Sequence, residues 1–232
     1  RCPMRSQPRS RFAILAASLT LAAAGALADD ALPRLPAGPH MGYIVGFEPL
    51  GPRAEAAAAL TDAAVAAGMT LGRVQVDWGE LEFAPGEFDR GALREALARE
   101  GSGGRHVFVT LSTLDSEGLT LPADLMTDAG TRRPGTRLDD PAMLARLTTF
   151  LEWMVPELTR AGVFALSVAN EFDAPMNDGI VNRDETMTFL KHAMDTANRL
   201  DPDLAVTVTY SGHAVWNNAP AVAELNAHAD VL

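Results

Sequence analysis

Apolar residues along this chain cluster in short runs, and longer alanine- and leucine-rich stretches separate them. Met41 to Phe47, Leu71 to Val76, His106 to Leu111, Val163 to Val168 and Leu204 to Tyr210 each read as a strand of six or seven residues. Between them lie helical patterns. Arg53 to Ala67 stops at Gly68, and Arg90 to Glu100 is preceded by Asp89 as N-cap and followed by Gly101. Asp140-Pro141 opens a helix toward Arg160, with a kink expected near Pro156. Asn182 with Glu185 forms a capping-box pattern that starts a helix to about Leu200, and Pro220 to Ala227 is a short last helix. Asp230-Val231-Leu232 begins a sixth strand. Short strands that are apolar on both faces and separated by helices predict a parallel sheet covered by helices. An open doubly wound sheet and a closed barrel both satisfy that pattern. The first strand–helix turn, Glu48-Pro49-Leu50-Gly51-Pro52, is no Gly-rich phosphate loop, which counts against a dinucleotide-binding fold.

The N-terminus bears on compartment. Arg1, Arg5, Arg9 and Arg11 precede the apolar run Phe12 to Ala24, which closes on Ala-Leu-Ala. We read residues 1–28 as a signal peptide cleaved after Ala28, so the protein is expected to be secreted or periplasmic. The run is too short for a membrane span, which needs ~20 residues. We read residues 29–40 as a Pro/Gly entry segment and 41–232 as one folded domain. Cleavage takes four of the 19 basic residues and none of the 30 acidic ones, so the acidic balance deepens from −11. Such a chain does not suit nucleic acid or an anionic membrane as partner. Cys2, the single cysteine, lies in the leader, which leaves no thiolate nucleophile and no disulfide framework. His40, His106, His192, His213 and His228 show neither HxH nor HExxH spacing. No metal and no cofactor is therefore expected. Lys191 falls inside a helix, which disfavours a Schiff-base aldolase.

In barrels the chemistry sits on loops after the strand C-termini. The fourth strand runs into Asn170-Glu171. A carboxyl beside an amide suits glycoside cleavage, which needs a protonated acid at the leaving oxygen and a second carboxylate across the sugar. Taken alone, the pair equally suits a simple turn cap. The second strand adds Arg73, then Trp78, Glu82, Pro85-Gly86 and Phe88-Asp89. Together these motifs resemble the clan-A retaining glycoside hydrolases, which are (β/α)8 TIM barrels. The resemblance extends from about residue 41 to 232.

The resemblance implies roles. Glu171 would be general acid and then general base, and Asn170 would bind the hydroxyl next to the reacting carbon. Arg73 would help hold the nucleophile ionised. Trp78 would form part of a sugar platform, or else be a core tryptophan under the rim. Tyr210 would reach the catalytic pair, or else be a half-buried strand residue. Trp216, with His213, is a further candidate for the substrate cleft, and Glu48 is read as a helix cap. Two departures from the clan stand out. The third strand ends in Leu111-Ser112-Thr113-Leu114-Asp115 where a His is common, and Phe172 replaces a common Pro. The clan's nucleophile is a Glu ending the seventh strand. Asp77, Glu80 and Asp173 lie beside the wrong strands for that role. We therefore expect a barrel truncated after about five and a half β/α units, inactive by itself, whose complete form cleaves β-linked poly- or oligosaccharides. The alternative is a barrel that binds carbohydrate without cleaving it.

Overall fold

The computed structural model describes residues 42–43 and 54–230. The leader 1–28, the segment 29–40, Glu48 and most of the first expected strand lie outside these residues. Five strands form the main sheet: β1 (Gly42–Tyr43), β2 (Leu71–Asp77), β5 (His106–Ser112), β8 (Ala165–Asn170) and β9 (Ala205–Thr209). They are hydrogen-bonded in the order β1-β2-β5-β8-β9, and every neighbouring pair is parallel. A doubly wound sheet reverses its strand order at a switch point. Here each strand adds beside the previous one in the same direction, which is the winding of a (β/α)8 barrel.

Helices α1 (Ala54–Ala66), α3 (Arg90–Glu100), α4 (Pro141–Arg160), α6 (Arg183–Leu200) and α8 (Ala219–Asn226) connect or follow these strands. Their starts are coded locally. Asp89 accepts a hydrogen bond from the Ala92 amide at 2.9 Å. Asn182 and Glu185 cap each other reciprocally, at 2.9 and 3.1 Å. Asp140 departs from expectation: its carboxylate accepts from the Arg137 amide at 3.3 Å instead of capping α4. Helix α4 continues through Pro156 to Arg160.

The strands alternate between two faces. In β2, Gly72, Val74 and Val76 are buried, while Leu71, Arg73, Gln75 and Asp77 are half-buried on the other side. Val74 and Val76 join Val109, Leu111, Leu166, Val168, Phe150 and Phe189 in the main core between sheet and helices. The opposite face starts with a small apolar layer of Phe164, Ala165 and Ala205, against which Leu71 and Phe108 pack. Register then aligns Gln75 with Thr110, Thr110 with Ser167 and Ser167 with Thr207, so this face turns polar toward the strand C-termini.

Other features also depart from the sequence reading. The fourth strand's ladder begins two residues later than expected, at Ala165, and extends to Asn170. The segment after β2 folds into a helical turn α2 (Trp78–Leu81) and a hairpin of β3 (Glu82–Ala84) and β4 (Glu87–Phe88). The long connection after β5 opens with a hairpin of β6 (Leu114–Asp115) and β7 (Gly118–Leu119). Two more short helices, α5 (Asp173–Asn177) and α7 (Gly212–Asn217), follow β8 and β9. At Asp230 the amide donates to the Val206 carbonyl and the carboxylate accepts from the Val206 amide, both at 2.9 Å. The rest of the expected sixth strand lies outside the described residues.

Candidate active site

A bulge in β8 builds the site. Ser167 pairs with Thr207, but Asn170 pairs with Thr209, so three steps on β8 match two on β9. An unbroken strand would send Asn170 to the helix side, opposite Ser167. The extra residue returns it to Ser167's face, as bulges next to active sites commonly re-aim a side chain. The Ser167 hydroxyl lies 2.7 Å from the Ala169 carbonyl and 3.0 Å from the Thr209 hydroxyl, which holds the bulge. Thr113, just past the end of β5, clamps it by donating to the Val168 carbonyl at 2.9 Å.

Asn170 thereby meets Arg73. Arg73 Nη2 donates to Asn170 Oδ1 at 2.9 Å and to Gln75 Oε1 at 3.1 Å, and its Nε donates to Thr110 Oγ1 at 2.8 Å. Asn170 Nδ2 donates to Asp115 Oδ2 at 3.0 Å. Burial pulls the Arg73 guanidinium below its ordinary pKa, while the charges of Asp115 and Glu171 pull it back up. Three strands and the β6 hairpin thus converge on one charged cluster.

Glu171 follows directly. Its backbone has φ 49°, the left-handed region, and it is the sole non-glycine there among the described residues. Such a conformation costs about 1–3 kcal/mol unless neighbours impose it. They do: its amide donates to the Thr209 carbonyl at 2.9 Å, and its carbonyl accepts from the Ala174 amide at 3.1 Å. The half-buried Glu171 is held where the β8 ladder ends, within electrostatic reach of Arg73.

Asp77, last in β2, is an acid of another kind. Burial, then the charges of Glu80 and Asp115, push its carboxyl up to about 6, against an opposing hydrogen bond with Ser112. Asp173 is buried and structural. It accepts from the Ser211 amide at 3.2 Å and the Ser211 hydroxyl at 2.6 Å, tying the loop after β8 to the loop after β9.

Three aromatic assignments fare differently. Trp78 is not a sugar platform: it is 0% exposed, with ring centroids 5.7 Å from Phe150 and 6.2 Å from Phe189. A ring without an exposed face cannot stack on a pyranose. Its Nε1 donates to the buried Glu82 at 2.6 Å. Glu82 also accepts from the Gly86 amide and from Arg146 Nε, each at 2.9 Å. The conspicuous Trp–Glu–Pro-Gly stretch is thus a structural staple under the barrel rim. Tyr210 does not reach the Arg73 cluster either. It packs edge-on against Phe172, its hydroxyl donates to Asn226 at 2.5 Å, and burial raises its pKa to about 12. Trp216, on α7 just past β9, is 84% exposed and presents its indole to solvent. His213 lies one turn away, 3.0 Å from Asn217.

Asp115, Gln75, Thr110 and Ser112 complete the cluster although no motif marked them. Gln75 had a signal, since it stands two residues from Arg73 and therefore on the same face. Asp115 had none beyond its place after the third strand. Among the described residues no group of His, Cys, Asp and Glu is arranged to hold a metal, and no helix is long and apolar enough to cross a membrane.

Neither a protein-family model nor a curated protein sequence matches the chain. Solved structures do. The exo-beta-1,4-mannosidase Op5Man5 from Opitutaceae bacterium strain TAV5 matches with a TM-score of 0.61 at 18% identity, over 76% of this chain and 32% of its own. GH5_18 from Bifidobacterium longum subsp. longum matches with a TM-score of 0.59 at 17% identity, over 77% of this chain and 45% of its own. A GH5_18 variant from the same organism, in complex with Manb1-4GlcNAc, matches at 0.54 and 17%, over 67% of this chain and 38% of its own. The chain therefore spans 32 to 45% of the length of these structures. Over that part, this chain shares the fold of these structures, and its own strand order makes that fold part of a (β/α)8 barrel.

Proposed function

We propose that this chain supplies the acid/base half of a retaining β-glycosidase site, in a protein that continues beyond residue 232. The observation that carries the reading is Glu171 itself. It is a carboxyl held in left-handed backbone at the end of the fourth strand, next to an amide that Arg73 fixes. Glu171 gives its proton to the glycosidic oxygen as the bond to the anomeric carbon breaks and the nucleophile bonds to that carbon. As a carboxylate it then takes a proton from water, which attacks the same carbon and releases the nucleophile. Asn170 holds the neighbouring sugar hydroxyl, Arg73 favours the ionised nucleophile, and Trp216 offers an exposed stacking face at the rim. The nucleophile belongs to a later strand, ~5–5.5 Å from Glu171 in a retaining enzyme. β-1,4-Mannosides, on which Op5Man5 is named to act, are the first substrates to try. The same reading has the protein exported after loss of residues 1–28, which N-terminal sequencing of the mature protein checks.

The test is Glu171→Gln in the full-length protein, assayed on substrates of graded leaving-group ability. Glycosides with poor leaving groups are expected to lose ~10²–10⁴-fold in kcat/KM, the range of general acid–base catalysis. Aryl glycosides that leave without protonation should lose far less at the glycosylation step. Equal rates of mutant and wild type on poor leaving groups would remove Glu171 from the role. No hydrolysis by wild type, with saccharide binding intact, would favour the binding-only alternative.

A further inference from the structure

Asp115, on the hairpin after β5, collects hydrogen bonds from three directions on one oxygen. Its Oδ2 accepts from Asn170 Nδ2 at 3.0 Å, from Gln75 Nε2 at 3.1 Å and from Ser112 Oγ at 3.1 Å. Its Oδ1 accepts from Ser116 Oγ at 3.0 Å and from the Glu117 amide at 3.4 Å, which pins the carboxylate to its own turn. The two amides that donate to Asp115 both accept from Arg73 Nη2. Arg73, Asn170, Asp115 and Gln75 therefore close a ring with a cation at one corner and an anion opposite.

The ring fixes direction. Each amide turns its oxygen to the guanidinium and its nitrogen to the carboxylate. Flipping Asn170 would set its NH2 against Arg73 and its carbonyl against Asp115, two repulsive contacts for two attractive ones. An Asn amide has two N–H donors. One goes to Asp115, which leaves the other for a ligand hydroxyl. The ring also divides the charge of Arg73, which both Asp115 and Glu171 attract.

We infer that Asp115 is a positioning residue of the site. It sets the direction of the Asn170 amide toward the sugar hydroxyl beside the reacting carbon, and it balances Arg73 so that this cation does not pair wholly with Glu171. The inference rests on the glycosidase reading above. Asp115 acts through Asn170 and Arg73 and does not itself touch the sugar.

The test uses the full-length protein and two substrates, a β-glycoside and its analogue lacking the hydroxyl next to the anomeric carbon. Asp115→Ala is expected to lower kcat/KM on the parent substrate by about tenfold to a hundredfold, as for loss of a hydrogen bond to a charged group. On the deoxy analogue the loss should be less than about threefold, because Asn170 has no hydroxyl to hold there. Adding Asn170→Ala to Asp115→Ala should cost little more, since both remove one contact. Asp115→Asn keeps the shape and one acceptor but not the charge. It is expected to lose less rate and to move the alkaline limb of the kcat/KM profile to lower pH. If Asp115→Ala does not fold, Asp115→Asn on the two substrates carries the test. Equal losses on both substrates, or losses of Asp115→Ala and Asn170→Ala that multiply, would overturn the positioning role. So would Asp115 variants with full rate in a protein that Glu171→Gln cripples. An active Glu171→Gln enzyme would instead bring down the glycosidase reading, and the role of Asp115 with it.

Discussion

Replacing Glu82 with Ala in the full-length protein should destabilise it by about 4 kcal/mol, although Glu82 stands in the motif that most resembles an active-site signature. Its carboxylate is 1% exposed and holds three donors. Trp78 Nε1, fully buried, would be left without its partner at a cost of ~1–3 kcal/mol. The Gly86 amide is exposed, and water replaces its bond at little cost. Arg146 would lose a charge-assisted bond, worth ~1.5–3 kcal/mol. Arg146 is not orphaned, because Asp124 holds it through two bonds of 2.7 and 2.8 Å. That retained pair keeps the total inside the ~3–5 kcal/mol seen when one member of a buried ion pair is removed. Glu82→Gln keeps an acceptor for Trp78 but turns an NH2 toward Arg146 or Gly86, so about half the loss is expected. Urea unfolding followed by tryptophan fluorescence measures both, read as a shift in midpoint at constant slope. A loss below about 1 kcal/mol for Glu82→Ala would refute the staple.

The remaining predictions separate roles that the sequence left joined. Asp77 has a folded pKa of about 6 against an ordinary 3.8, so between those values the folded state binds the extra proton. Stability should then fall as pH rises from about 4 to 6, and Asp77→Asn should flatten that slope in urea unfolding at several pH values. Glu157 behaves oppositely. Hydrogen bonds from Arg94 and then Arg160 hold its carboxyl at about 2, so its contribution is present above the ordinary 4.5 and is lost as pH falls through about 2. Glu157→Gln should remove that acid-side loss in the same titration. Trp78→Phe should cost about 2 kcal/mol of stability with KM unchanged, whereas Trp216→Ala should raise KM with stability unchanged within about 0.5 kcal/mol.

What the sequence made legible, and what it hid, follows the range of the interactions. Helices α3 and α6 start where Asp89 and Asn182 placed them, because a cap is a bond between residues three apart. Five apolar strands separated by helices indicated a parallel sheet, and the motifs around Arg73 and Asn170-Glu171 then pointed to a barrel instead of a doubly wound sheet. Arg73, Asn170 and Glu171 were found by motif, and the first two are in direct contact. The bulge in β8 was not legible, because it depends on Ser167 meeting Thr209 across two strands. Asp115 escaped for the same reason: its partners Asn170 and Gln75 are 55 and 40 residues away. Trp78 stayed open between platform and core because burial against Phe150 and Phe189, far along the chain, decides its role.

The most direct test of the central claim removes Glu171 and supplies its chemistry from outside. In a retaining site without the general base, a substrate with a good leaving group still forms the glycosyl–enzyme, which then waits for activated water. An anion such as azide needs no base. Glu171→Ala in the full-length protein, given an activated aryl β-glycoside, should turn over slowly alone and faster with added azide, releasing the β-glycosyl azide. Absence of rescue, or an α-configured product, would contradict the assignment of Glu171 as the acid/base of a retaining site.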